Sequence, residues 1–211
     1  TVSQESFTDM DGFRNSIKLQ CTSTGSSGDT GRNLAIWYSF EGQDLQHLRK
    51  GTASAKSVTL QFWIKAYEAG NYRINLLDND NDRIIGATYT INSSATWEKK
   101  TVTFAGDTTG AFGNDNGESL RVQWWLDSGS AYTGGAVPTA WEARASADEN
   151  HGGHTTADDS TNNYFELTGV QLELGSNATP FEHRTYGEDL ARCQRYYYQH
   201  IDSVSAAGGA I

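Results

Sequence analysis

The feature that most constrains the fold of this chain is a strict alternation of apolar and polar residues in three segments. Apolar side chains occupy every second position of Val58–Lys65, and Tyr72–Leu77 and Leu120–Leu126 repeat the pattern. Successive side chains of a β-strand point to opposite faces, so this period predicts strands with one buried face. Weaker versions of the pattern predict five more strands: Ser16–Cys21, Ala35–Phe40, Ile84–Ile91, Glu98–Phe104 and Phe165–Leu174.

Turn residues separate these strands and decide how they are connected. The chain has 22 glycines and only 2 prolines, and Glu68–Asn71 is typical of a short hairpin. Many short strands with such turns predict an all-β fold, an antiparallel β-sandwich of the jelly-roll type. Good helix formers with acidic residues in the first turn predict one short helix near the C-terminus, at Tyr186–Arg195.

The expected domain organisation has three parts. Residues 1–12 are predicted to be an N-terminal linker, and residues 13–184 a jelly-roll domain. Residues 185–211 are predicted to form the helix and an aromatic tail that leads into a further region. Ser128–Asn163 is the longest irregular stretch, and loops of that length in compact domains are usually functional or mobile.

Composition excludes several classes of function. The 16 Lys and Arg against 26 Asp and Glu give a formal net charge of −10, which argues against a nucleic-acid partner. No run of about 18 apolar residues is present, so no membrane insertion is expected. Cys21 and Cys193 show no metal-binding spacing, and two free thiols are favoured over a single bridge.

A resemblance to a known family rests on a signature near the C-terminus. Its parts are Gly169–Arg184, Tyr186–Leu190 and Cys193–Tyr197, and the earlier segments that fit the same module are Val58–Ala66, Thr96–Lys100 and Trp124–Ser130. Together they resemble a carbohydrate-binding-module-like jelly-roll module of tailed-phage virion appendage proteins, of the tail-fibre and tail-spike type. The resemblance implies a homotrimer that is assembled in the host cytoplasm and located on the phage particle surface or tail, with other virion proteins as partners.

The resemblance leaves three functions open. The first is a non-catalytic virion module that recognises a carbohydrate of the host cell surface. The second is a structural spacer or trimerisation module without a ligand of its own, and the third is an accessory module of a carbohydrate-active enzyme. The chain has no nucleophile elbow, P-loop or HExxH motif, so it is not expected to be an enzyme.

Outward-facing polar and aromatic residues supply the candidate carbohydrate site. Sugars bind where C–H groups stack on aromatic rings and amide or guanidinium groups meet hydroxyls. If the three alternating strands share one sheet, one surface carries Gln61, Trp63, Lys65, Arg73, Asn75, Arg121, Gln123 and Trp125. A second candidate patch is Trp37, Tyr132 and Trp141. The alternative is that these aromatic rings are packed under the long loop or a second subunit.

Two motifs contain side chains of the types that bind metal ions. Asp78–Asp82 alternates acidic residues as a calcium loop does, but Arg83 stands where such a loop needs glycine and Tyr89 where it needs glutamate. His151 and His154 flank two glycines ahead of Asp158 and Asp159, a poorly preorganised arrangement. Both motifs are therefore predicted to be polar loops. No cofactor is expected, and a structural calcium elsewhere in the sandwich stays open without assigned ligands.

Overall fold

The computed structural model of the chain describes residues 1–25, 28–150 and 153–197. Its strands are β1 (Val2–Ser6), β2 (Asn15–Gln20), β3 (Asn33–Glu41), β4 (Val58–Ala66), β5 (Gly70–Asp78), β6 (Arg83–Ile91), β7 (Glu98–Phe104), β8 (Glu118–Ser128), β9 (Glu142–Ala143) and β10 (Tyr164–Leu174). They form two five-stranded antiparallel sheets. Sheet A has the order β1-β2-β10-β4-β7, and sheet B has the order β3-β8-β5-β6-β9.

The two sheets pack their apolar faces together, which confirms the predicted antiparallel β-sandwich of the jelly-roll type. Phe62 of sheet A lies at the centre of the core, with its ring centroid 5.3 Å from that of Tyr89 and 5.7 Å from that of Trp124, both in edge-to-face contact. Such contacts suit the charge distribution of aromatic rings and add to the burial of apolar area. The alternation read from the sequence therefore selects the residues that face the core.

All eight predicted strands are present, and the structure adds β1 and β9. The expectation of a linker over residues 1–12 is wrong for Val2–Ser6, because these residues pair with β2 as an edge strand of sheet A. The sequence of β1 is mostly polar, and an edge strand needs little burial, so its pattern is weak. The strand β9 has two residues, too few for any periodicity.

Helical structure is sparse. A four-residue helix α1 spans Ser146–Glu149, and the predicted C-terminal helix is confirmed as α2, Tyr186–Tyr196. Thr185 caps α2 in a capping box with Glu188, so the sequence marks where this helix begins. The chain divides into two compact units, Thr1–Thr179 and Pro180–Ile211. The rest of the predicted aromatic tail, from residue 198, lies outside the described residues.

Two short 3-10 helices, Gly42–Leu48 and Ser130–Tyr132, complete the elements. None of the helices in the described ranges is long and apolar enough to cross a bilayer.

Both cysteines are free thiols, as the sequence favours: Cys21 is half-buried and Cys193 is exposed.

A bulge interrupts β10 at Gly169, and a glycine inside a strand pattern is itself a common mark of a bulge. The pairing of β10 with β4 shifts register between Thr168 and Gln171. Gly169 has a φ of +58°, and a Cβ atom at this position would lie 2.7 Å from Cζ of Phe13 and 3.0 Å from Cδ1 of Trp63. Only glycine combines this backbone conformation with this close approach.

We expect Gly169→Ala to lower the free energy of unfolding by about 1–2 kcal/mol, because the added methyl group is strained in the backbone and displaces two rings. Urea denaturation measures the change. Gly28→Ala is the matched control, since a Cβ atom there has no neighbour within 4 Å. Equal stability of the two variants would contradict the prediction.

Candidate functional site

The eight residues of the first candidate site do not share a surface. Strand β4 belongs to sheet A, whereas β5 and β8 belong to sheet B. Gln61, Trp63 and Lys65 therefore lie on the outer face of sheet A, and the other five lie on the opposite face of the sandwich: Arg73, Asn75, Arg121, Gln123 and Trp125. The assumption of one sheet is wrong because the alternation is the same whichever sheet a strand joins.

The outer face of sheet A is engaged by its own chain. Phe13 and Trp63 converge on the bulge at Gly169. Gln61 donates hydrogen bonds from Nε2 to Glu173 Oε2 at 3.1 Å and to the carbonyl oxygen of Thr179 at 2.6 Å. These side chains hold the N-terminal segment and the end of β10 in place, so they have a structural role.

Lys65 is held in the same way on this face. Its Nζ lies 3.6 Å from Asp9 Oδ2, 3.7 Å from Glu166 Oε1 and 5.0 Å from the ring centroid of Trp97. Trp97 in turn packs against Phe7, with 4.8 Å between ring centroids. The lysine thus fixes residues that were predicted to be linker, and it is not free to contact a ligand.

The long loop covers most of the outer face of sheet B. Trp125 is 1% exposed, and its ring centroid lies 5.2 Å from that of Tyr132. Asn75 donates from Nδ2 to the carbonyl oxygen of Glu149 at 2.7 Å, and the backbone N–H of Gly86 donates to that of Pro138 at 2.7 Å. The alternative that this tryptophan packs under the long loop is therefore correct for Trp125, and the loop belongs to the same chain.

One corner of sheet B is left uncovered by the loop, and we call it the Trp37 shelf, defined by Trp37, Ser39, Glu118 and Arg121. Trp37 is 52% exposed, and the guanidinium of Arg121 lies 5.2 Å from its ring centroid. Arg121 donates to both oxygens of Glu118, at 2.6 and 2.8 Å, and Ser39 Oγ donates to Glu118 Oε1 at 2.8 Å. An indole with an ordered polar border results.

The charges of the Trp37 shelf are fixed near neutral pH. The hydrogen bond from Arg121 lowers the pKa of Glu118, and the bond to Glu118 raises the pKa of Arg121. Each partner thus favours the charged form of the other. Because the guanidinium contacts one face of the indole, the opposite face is the one open for stacking.

Gln123 borders the Trp37 shelf from beneath the loop. It is the register partner of Trp37 on β8 and is buried. In the described part of the chain its Oε1 has no hydrogen-bond partner, which is costly for a buried amide unless a ligand or water donates to it. The shelf itself therefore offers an aromatic face and a carboxylate, and the buried Gln123 lies beside it.

The second candidate patch is split as well. Trp37 lies on β3 and Trp141 precedes β9, and these strands form opposite edges of sheet B, about four strand spacings or ~19 Å apart. Trp141 packs against the core and donates from Nε1 to the carbonyl oxygen of Ala105 at 2.7 Å. Tyr132 lies against Trp125. The prediction of one patch is therefore wrong, although Trp37 itself is exposed.

The acidic loop at Asp78–Asp82 takes part in an internal ion cluster, which we call the Lys50 cluster: Lys50, Asp78, Arg83 and Asp107. The ammonium of Lys50 contacts Asp78 Oδ2 and lies 3.1 Å from Asp107 Oδ2. It also donates to the carbonyl oxygens of Thr109 and Gly110, at 2.8 and 2.9 Å. The oxygen atoms that would suit a hard cation thus surround an ammonium group.

Arg83 completes the Lys50 cluster by donating to both oxygens of Asp107, at 2.6 and 3.2 Å. Burial acts to raise the pKa of Asp107, but hydrogen bonds from Arg83, the Thr109 backbone and Lys50 outweigh it and lower the pKa. Sequence reasoning missed Lys50, because nothing near it in the chain marks it as the partner of acids that follow 28 and 57 positions later.

The histidine motif lies partly outside the described residues, since His151 is not among them. His154 Nε2 lies 3.1 Å from Asp127 Oδ1, and Arg32 contacts Asp127 and lies 3.5 Å from Asp158. No group of three or more His, Cys, Asp or Glu side chains in residues 1–25, 28–150 and 153–197 is placed to hold a metal ion. The motif thus joins a cluster of ion pairs.

Comparison with known proteins gives likenesses of structure only. No protein-family model and no curated protein sequence matches the chain. A family 16 carbohydrate-binding module is 15% identical, with 82% of this chain and 84% of that chain covered at a TM-score of 0.39. The enzymatically active domain of tailspike protein 4 from bacteriophage CBA120 is 12% identical, with 82% and 18% covered at 0.43. An exo-β-agarase is 10% identical, with 84% and 23% covered at 0.43.

Proposed function

We propose that this chain is a non-catalytic carbohydrate-binding module and that the Trp37 shelf is its sugar-binding site. The observation that carries the proposal is the half-exposed indole of Trp37, backed on one face by a guanidinium that Glu118 holds in place. The open face suits the C–H groups of a pyranose ring. The carboxylate of Glu118 is an acceptor for sugar hydroxyls.

The setting that we propose is a tailed-phage virion appendage, with a host-surface glycan as ligand. The support is the sequence signature of Gly169–Arg184 with its flanking segments. A single aromatic shelf with few polar groups gives low affinity per site, so recognition of a cell surface would depend on several copies acting together. Location on the particle surface or tail, after assembly in the host cytoplasm, belongs to the same proposal.

We expect Trp37→Ala to weaken binding to host-surface polysaccharide about tenfold or more, because it removes the stacking face. A glycan array identifies the ligand, and titration calorimetry then compares the variants. Tyr38→Ala is the matched control: Tyr38 is the next residue of the same strand, 56% exposed, but points to the other face of the sheet.

Both variants change an exposed aromatic residue, so their melting temperatures should match that of the unchanged protein. Undiminished binding by Trp37→Ala would overturn the assignment of the shelf. If both variants lose glycan affinity equally, the ligand contacts the whole edge of β3 and not the Trp37 shelf alone.

A further inference from the structure

Strand β3 is an edge of sheet B with free hydrogen-bonding capacity. It pairs with β8 on one side, in regular register from Ala35 to Phe40. An antiparallel edge strand points alternate N–H and C=O groups away from its sheet. Within the ranges that the structure describes, no backbone group bonds to the outer side of residues 33–40.

The other edges of the sandwich carry devices that discourage pairing, and β3 lacks them. Strand β7, the far edge of sheet A, has Lys99 and Lys100, while β1 has five residues and β9 two. Strand β3 has nine residues with no lysine, arginine or proline, and its single charge, Glu41, is at its end. Long, uncharged edges of this kind are templates for another strand.

The sequence of β3 is complementary to itself in the antiparallel direction. With a two-fold axis at Trp37, the cross-strand pairs are Trp37 with Trp37, Ile36 with Tyr38, Ala35 with Ser39, Leu34 with Phe40, and Asn33 with Glu41. Apolar residues of the inner face meet apolar residues, and no two like charges are opposed. Favourable cross-strand pairs of this sort stabilise a sheet.

We propose that β3 pairs with β3 of a second copy of this chain, in antiparallel register centred on Trp37. The contact is the same on both copies, as a two-fold axis requires. The two five-stranded B sheets then join into one continuous sheet. A second copy of β3 is favoured over a strand from another protein, because each residue of β3 then lies opposite a compatible residue of the same sequence.

The pairing has a consequence for recognition, which rests on the proposed function. A two-fold axis perpendicular to the sheet keeps both outer faces on the same side. The two Trp37 residues become direct neighbours, with Cα atoms about 4.5–5.5 Å apart. Their shelves then form one double platform, and two sugar contacts act together.

Sedimentation equilibrium without any sugar tests the pairing. We expect a concentration-dependent dimer for the unchanged protein, and a midpoint at least about tenfold higher for Tyr38→Lys, which places an ammonium against Ile36 of the other copy. Thr101→Lys is the matched control, since it adds the same charge to the exposed edge strand β7. A monomer up to about 1 mM would overturn the proposal, and so would a trimer, which is the oligomer that the family resemblance implies.

Disulfide trapping tests the register, in a Cys21→Ser, Cys193→Ser background. Trp37→Cys should form a covalent dimer under mild oxidation, because the two residues are directly opposed. Ser39→Cys should not, since its two copies would be about 14 Å apart, beyond the ~7 Å that a disulfide spans. Equal trapping of both variants, or of neither, would contradict the register.

The experiments can contradict the proposed dimer and the proposed sugar site independently of each other. A dimer that binds no glycan removes only the proposed function. A monomer that binds glycan through Trp37 removes only the pairing. We expect Tyr38→Lys to keep the single-site affinity for soluble oligosaccharide and to lose avidity for a glycan-coated surface.

Discussion

Lys50→Met is expected to lower the free energy of unfolding by about 3–5 kcal/mol, a large fraction of the stability of an ordinary domain. The side chain of Lys50 is 4% exposed, and those of Asp78 and Asp107 are 0% and 3% exposed. Methionine has similar length and no charge, so the variant leaves two buried carboxylates with Arg83 as their remaining cation in the Lys50 cluster. A buried charge without its partner is strongly destabilising.

Equilibrium unfolding in urea at pH 7 measures this loss, with circular dichroism to confirm the fold. Lys56→Met is the matched control, because Lys56 is exposed and close in sequence, and we expect a change within about 0.5 kcal/mol. If the two variants unfold at the same urea concentration, the Lys50 cluster does not stabilise the sandwich.

Asp158→Asn is expected to stabilise the protein at and above neutral pH and to leave it nearly unchanged below about pH 4, where the wild-type acid is protonated in both the folded and the unfolded state. Burial and the neighbouring carboxylate of Asp127 raise the pKa of Asp158 from 3.8 to about 7. Burial acts to raise the pKa of Asp127 too, but hydrogen bonds from His154 and from protonated Asp158, with the charge of Arg32, lower it to about 2. The two acids share one proton, so they titrate as a pair.

The raised pKa of Asp158 makes the protein less stable as pH rises. An acid whose pKa is raised by folding stabilises the native state while it is protonated, and this contribution is lost as pH rises through its folded value. Wild-type stability should therefore fall between about pH 4 and 8 by about 1–3 kcal/mol from this group. Asp127 acts in the opposite sense, and its contribution is lost only as pH falls towards 2.

Asparagine keeps the shape of the protonated acid and can still donate to Asp127, so the variant should lack the decline on the alkaline side. Thermal unfolding from about pH 3.5 to 8.5 follows the difference between variant and wild type. Asp11→Asn, at an exposed acid, serves as control and should run parallel to wild type. A variant that tracks the wild type at every pH would show that Asp158 is already ionised at neutral pH.

The sequence could predict which aromatic residues face outward from the strands, but not which of them stay exposed in the folded protein. Trp37 and Trp125 both stand at outward positions of alternating strands, and the sequence treats them alike. The structure buries Trp125 beneath Tyr132 and leaves Trp37 half exposed. The difference lies in the path of the loop from Ser128 to Asn163, which has no periodicity to read.

The sequence by itself determined the strands, the bulge at Gly169 and the core, because these depend on alternation and on backbone chemistry that each segment carries alone. Only the tertiary structure decided that β4 lies in one sheet and β5 and β8 in the other, and that Lys50 meets Asp78 and Asp107. Period-two alternation tells which face of a strand is buried, but it carries no information about the neighbouring strand. Contacts between distant segments, and the surface that they leave open at Trp37, therefore arise only when the sheets assemble.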